Sequence, residues 1–222
     1  MSYHDWDIFD DGAAPSQWGL VSGGPYVSPV SYTYLRTNAS PGAIGTSINR
    51  KLVNNDPALD FMEDAEVDGW YRMSSGNWSD YSYVRFCGAV LRWNRGTPDS
   101  YYRLAMHTVG ASPATNQCGM WIQRFQDGVR TDLVDGTSNF FYHPGGLSFS
   151  GVWHRWRFSV VTAESGVAAL KAECYWNGNW YVAAGDRDGD PLPAGGAGVF
   201  ISAENGKNIM IDEVGINSLS YP

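Results

Sequence analysis

The chain has 222 residues, 43% hydrophobic and 17% charged, enough to bury a large core and unlike the composition of a disordered protein. Its net charge is −8, so most of its surface repels nucleic-acid phosphates, and no apolar run is long enough to insert in a membrane. Residues 1–55 are rich in Ser, Pro, Gly and Asn and predict an opening strand pair with long loops, within one domain spanning 1–222. Met1 to Asp7 lacks the basic and apolar regions of a secretion signal, so the protein is expected to be made without one. Strand patterns follow at Tyr81 to Trp93, Tyr101 to His107, Cys118 to Phe125, Val129 to Val134, Trp153 to Val161, Val167 to Trp176, Trp180 to Ala184, Val199 to Ala203 and Ile209 to Ile216. No stretch keeps a helical period.

Turn formers separate these runs. Asp127-Gly128 and Asn177-Gly178 each sit between alternating segments, where the positive φ of a tight hairpin favours Asp or Asn before Gly. Alternation also assigns faces: Trp156, Phe158 and Val160 share one with His154, and Arg155, Arg157 and Ser159 share the other, expected to face water. Cys87, Cys118 and Cys174 lie in apolar or alternating runs without metal-ligand spacing, which predicts buried, reduced thiols.

Several segments, in order, resemble the concanavalin A-like lectin/glucanase jelly roll. Asp7-Ile8-Phe9-Asp10-Asp11 with Trp18 and Gly23 is similar to its entry strand. Cys87-Gly88-Ala89-Val90-Leu91-Arg92 and Tyr101-Tyr102-Arg103-Leu104 are similar to two successive strands of that fold, and Trp121 to Phe125 with Asp127-Gly128 to the next hairpin. Trp153 to Phe158 resembles the strand that begins with Trp, and Gly195 to Val199 followed by Ile211-Asp212-Glu213-Val214 the closing pair. The likeness covers about two-thirds of the chain and implies an all-β, two-sheet antiparallel jelly-roll sandwich. The family spans lectins, carbohydrate-binding modules, glucanases, lyases and viral surface domains, so function must come from the site.

The resemblance implies a catalytic strand only if acidic residues repeat along it, one as nucleophile and another as acid/base. Glu66 and Asp68 share a face, but Trp70 stands at the next same-face position, so that strand supplies no second Glu. The segment is expected to be a polar, solvated strand edge. A lyase would need His and Tyr to converge, yet Tyr102 and His107 have opposite parity. The chain is therefore expected not to be an enzyme; a glucanase or polysaccharide lyase is the alternative.

Asp186-Arg187-Asp188-Gly189-Asp190-Pro191 looks like half a calcium loop, but Pro191 and Ala197 stand where Gly and Glu would be needed, which leaves an acidic turn. The resemblance implies a structural calcium joining opening and closing strands, with Asp10 or Asp11 and Asp212 as carboxylates. No other cofactor is implied.

Ten Trp and thirteen Tyr are many for this length. Trp78, Trp93, Trp176 and Trp180 have polar or turn-forming neighbours, which predicts exposure, with Asn177 and Asn179 beside the last two. An indole stacks on a sugar ring while nearby Asn, Asp or Arg fix its hydroxyls. Trp176 and Trp180 are expected to face each other across a three-residue hairpin loop ending in a bulge. These residues point to a non-catalytic binding or adhesion module, glycan-facing and lectin-like. The missing signal and reduced thiols further suggest a surface or decoration component of a bacteriophage particle, located in the virion or outside the cell after release. A purely structural virion subunit is a further alternative, since exposed Trp, Tyr and Arg also mark protein interfaces. The expected partners are a glycan or neighbouring subunits, among them further copies of the chain in a homo-oligomer.

Overall fold

A computed structural model of the chain describes residues 2–7, 18–22, 35–36, 48–54, 62–73, 86–94, 98–108, 116–136, 138–149, 151–203 and 209–219. The regular elements among them are all strands, in two sheets with antiparallel ladders. Sheet I is seven-stranded and runs in the order β1 (Ser2–Asp7), β15 (Ile209–Ser218), β5 (Ala65–Met73), β11 (Trp153–Thr162), β12 (Ala168–Trp176) and β13 (Asn179–Asp188), with β3 (Leu35–Arg36) also pairing with β15. Sheet II is eight-stranded. Its order is β10 (Phe140–Tyr142), β8 (Gln117–Gln126), β7 (Ser100–Thr108), β6 (Phe86–Asn94), β14 (Gly196–Ala203), β4 (Ile48–Asn54) and β2 (Trp18–Ser22), with β9 (Val129–Val134) pairing with β8.

Strict alternation builds the core. Val67 and Tyr71 of β5, Trp156, Phe158 and Val160 of β11, and Leu170, Ala172 and Cys174 of β12 turn inward from sheet I. They meet Ala89 and Leu91 of β6, Tyr102, Leu104 and Met106 of β7, and Met120 and Ile122 of β8. Each large side chain withdrawn from water in this way contributes roughly 1.5–3 kcal/mol. The three cysteines are free and buried, and burial pushes the Cys87 and Cys174 thiols up to about 12, which keeps them inert.

Polar groups close one end of the sandwich. Buried Asp188 accepts a hydrogen bond from the Tyr102 hydroxyl at 2.7 Å and pairs with Arg124 at 3.0 Å. Asp190 donates its backbone N–H to the same carboxylate at 3.1 Å. The segment expected as an acidic turn is thus strand β13 through Asp188, with a bend only at Gly189-Asp190, and Arg124 engages Asp188 in place of a cation.

The nine strand patterns from residue 81 onward coincide with strands wherever their residues are described, with ends that differ by a few residues; the first five residues of the Tyr81 to Trp93 pattern lie outside the described residues. The opening segment differs: its described residues form four strands and not one pair, because β1 and β3 join β15 in one sheet while β2 and β4 enter the other. The polar segment at Glu66 and Asp68 was expected at a solvated edge. It lies instead in β5, between β15 and β11, and both carboxylates are buried. The hairpin after β12 also differs. Asn177 and Gly178 have φ of 46° and 83°, the two-residue turn whose twist matches its strands, and Trp176 pairs with Asn179 while Tyr175 pairs with Trp180. No bulged three-residue loop forms, so the two indoles occupy opposite faces of the sheet.

Candidate functional site

Two outer faces remain once the core is filled, and they differ in chemistry. On sheet II, Val90, Trp93, Tyr101 and Ala105 form a second buried apolar cluster, with Trp121 and Phe125 packed against it. Phe125 is stacked on Tyr101 at 4.6 Å and lies under the Arg103 guanidinium at 4.6 Å. Trp121 lies 4.7 Å from His107, and Gly136 approaches so closely that an added Cβ would come within 2.4 Å of its indole. The ring faces here are already occupied by protein. Trp93, expected to be exposed, is only 2% accessible and belongs to this cluster. Its neighbours Asn94 and Arg95 suggested a loop, but β6 continues to Asn94 and turns the indole onto Val90 and Tyr101.

The outer face of sheet I is polar at its centre and aromatic along one side. Antiparallel pairing puts directly opposed residues on one face, so the register reads as rows across the strands. One row holds Trp70 of β5 and Arg155 of β11, which are paired; the ladder through Trp156 and Cys174 brings Tyr175 of β12 next, and Tyr175 pairs with Trp180 of β13. The adjacent row is Asp68, Arg157, Glu173 and Val182, and the one beyond it contains Asn217, Glu66, Ser159 and Lys171.

Charges in these rows are matched. Arg155 donates to Asp68, and Arg157 donates to Glu173 at 2.6 Å while lying 3.6 Å from Glu66. Lys171 approaches Glu173 at 3.2 Å. The carboxylates of Glu66, Asp68 and Glu173 are buried, whereas Arg155, Arg157 and Lys171 keep 27%, 21% and 47% of their side chains accessible. Burial raises the Glu66 carboxyl above its ordinary range, and Arg157 opposes that shift. The Arg157 guanidinium also stacks on Trp180, 4.2 Å from the ring centre, while Tyr175 meets the same indole edge-on at 5.2 Å. Trp70 is half-buried, and among the described residues no ring or hydrogen-bonding partner holds it. This surface combines fixed donors and acceptors with partly open indoles.

Glu173 bears on the catalytic question. The second Glu absent from β5 arrives from β12, two strands away, where Arg157 lies 2.6 Å and Lys171 3.2 Å from its carboxylate.

The other expected residues are dispersed. Trp176 turns toward the interior, its ring 4.8 Å from His143. Asn177 and Asn179 are exposed at the hairpin tip and tied together by a 3.2 Å bond from Asn179 to the Asn177 carbonyl. Trp78, Asp10 and Asp11 lie outside the described residues. Asp212 sits in β15 opposite Trp70.

Among the described residues, one group of three offers metal-ligand atoms: His143, His154 and Cys174, all within 4.8 Å of one another and all buried. The set is nitrogen and sulfur, unlike the oxygen cage calcium needs. Its hydrogen bonds also argue against a softer ion. Nδ1 of His143 accepts from the Gly145 N–H at 3.0 Å, which leaves the proton on Nε2, the atom that would have to ligate. His154 Nε2 lies 2.8 Å from the Ser148 carbonyl, to which it donates. Burial lowers both rings, His154 to about 4, and the pair is neutral.

No protein-family model matches the sequence, and no curated protein matches it. Solved structures do match in shape. The VIP36 exoplasmic/lumenal domain in its Ca2+/Man3GlcNAc-bound form aligns with a TM-score of 0.58 at 11% identity, over 97% of this chain and 89% of that one. The lectin from Bauhinia forficata in complex with GalNAc aligns at 0.56 and 11%, over 99% of both chains. The CBM2 module of the evolved Dit of Lactobacillus casei BL23 phage J-1 aligns at 0.52 and 8%, over 98% of both. At such identities the likeness speaks for the fold alone. The chain has the concanavalin A-like lectin fold, the two-sheet jelly roll implied by its sequence resemblance.

Proposed function

We propose that the protein is a non-catalytic glycan-binding module whose binding face is the outer surface of sheet I. The observation that carries this is the pairing of half-buried indoles, Trp70 and Trp180, with a neighbouring row of fixed Arg and carboxylate groups. Indoles offer flat apolar faces to sugar rings, and the preorganised polar groups give hydroxyls partners without an ordering cost. The sugars bound in the VIP36 and Bauhinia structures support a glycan as the ligand class. The phage Dit module supports placement on a bacteriophage particle, in the virion or outside the cell after release. Calcium stays within the proposal as a structural ion, with Asp212 and either Asp10 or Asp11 as its carboxylates.

The test is a glycan array probed with the protein and with Trp180→Ala, followed by titration of the strongest sugar. Loss of one stacked indole weakens binding about ten- to a hundredfold, equivalent to roughly 1–3 kcal/mol. Binding of no glycan, or equal binding by Trp180→Ala, overturns the proposal. A second reading, a contact between subunits, draws on the same Trp, Tyr and Arg residues, which are enriched at interfaces. It predicts that Trp180→Ala changes the mass measured by light scattering and leaves any glycan affinity alone. Release of reducing ends from a β-glucan would contradict the non-catalytic part.

A further inference from the structure

The row that holds Trp70 and Trp180 also constrains the size and direction of the ligand, an inference that rests on the glycan-binding reading. Trp70 stands on β5 and Trp180 on β13, with β11 and β12 between them. Neighbouring strands lie about 4.8 Å apart, so three spacings put the two indoles at about 14 Å from each other. The pairings Trp70 with Arg155 and Tyr175 with Trp180 keep them in one line perpendicular to the strands. Arg155 and Tyr175 fill that line between the indoles, and Asp68, Arg157 and Glu173 run parallel to it one row away.

A single pyranose can cover one of these indoles and leaves the other bare. A chain of sugars lying along the row reaches both, with Arg155 beneath its middle and the charged row along its edge. We infer that the outer face of sheet I takes an extended oligosaccharide lying across the strands from Trp70 to Trp180, as opposed to one terminal sugar. The row has two unequal ends. Trp180 is stacked by Arg157 and so is fixed in place before binding. Trp70 has no ring partner among the described residues and gains its sugar contact only when a longer chain arrives. Binding therefore starts at Trp180 and strengthens when the ligand extends to β5.

The test is titration calorimetry of the full chain with mono- to hexasaccharide series of manno-, cello- and galacto-oligosaccharides, using wild type, Trp70→Ala and Trp180→Ala. The expected result is affinity that rises about tenfold or more between the monosaccharide and the longer members, then levels off. Trp180→Ala should weaken every length. Trp70→Ala should remove the gain with length. Circular dichroism of each variant, and recovery of part of the gain in Trp70→Phe, separates a lost contact from a damaged fold. Affinity independent of length, or a length effect untouched by Trp70→Ala, overturns this inference while leaving glycan binding intact. No binding by any series overturns the glycan-binding reading and this inference with it.

Discussion

His154 shows how one residue's surroundings set a property of the whole molecule. The ring is 4% accessible, its Nε2 bound to the Ser148 carbonyl, and His143 and Phe149 pack against it at 4.9 and 4.6 Å. The groups facing it are neutral: the second imidazole, the Phe149 ring and the Cys174 thiol. Burial accordingly lowers its pKa from 6.5 to about 4, with the His143 ring adding a smaller push downward. A folded-state pKa below the unfolded one means that the unfolded chain takes up the proton first. Stability is then complete above about pH 6.5 and falls as the pH drops toward 4. Chemical denaturation across that range should show the decline, and His154→Gln should flatten it. A wild-type stability independent of pH over this interval would mean that the ring is solvated.

Among elements, the β12–β13 hairpin carries most of the difference between the sequence pattern and the fold. Alternation correctly placed Trp180 on a strand and Asn177-Gly178 in the turn. Loop length was the missing quantity: one residue more or less moves every side chain beyond the turn to the other face. With two residues in the loop, Trp176 packs inward beside His143 and Trp180 joins Tyr175 outside. Gly178 has φ +83° and open space around its Cα, so Gly178→Ala meets no clash and costs only the left-handed backbone, about 1 kcal/mol. That lowers Tm by about 2–4 °C in a protein of this length. An unchanged or higher Tm would argue for a different turn. The candidate face was hidden from the sequence for a related reason. Faces of β5, β11 and β12 could be read separately, but their adjacency is a long-range property, and it alone sets Glu173 beside Arg157 and Trp70 beside Arg155. Trp93 illustrates the converse, since polar neighbours along the chain say little about what covers a side chain from a different strand.

At the scale of the whole molecule, the strands after residue 81 other than the three-residue β10 were legible because alternation and turn residues are local signals. The opening segment was not, because its strands pair with partners as distant as β15. We propose that the chain unfolds as one unit, since β1 and β15, far apart in sequence, are neighbours in one sheet. Calorimetry should show a single transition with matching calorimetric and van't Hoff enthalpies, and two separable transitions would contradict it. Chelation by EDTA should lower its midpoint through loss of the proposed structural calcium, and an unchanged midpoint removes calcium from the account.

A crystal structure of the protein with the strongest-binding oligosaccharide tests the central claim most directly. The account predicts sugar density on the outer face of sheet I, over Trp180 and beside Arg155 and Arg157, with ring planes parallel to the indole. Density on the aromatic outer face of sheet II, at Trp121 and Phe125, would contradict it.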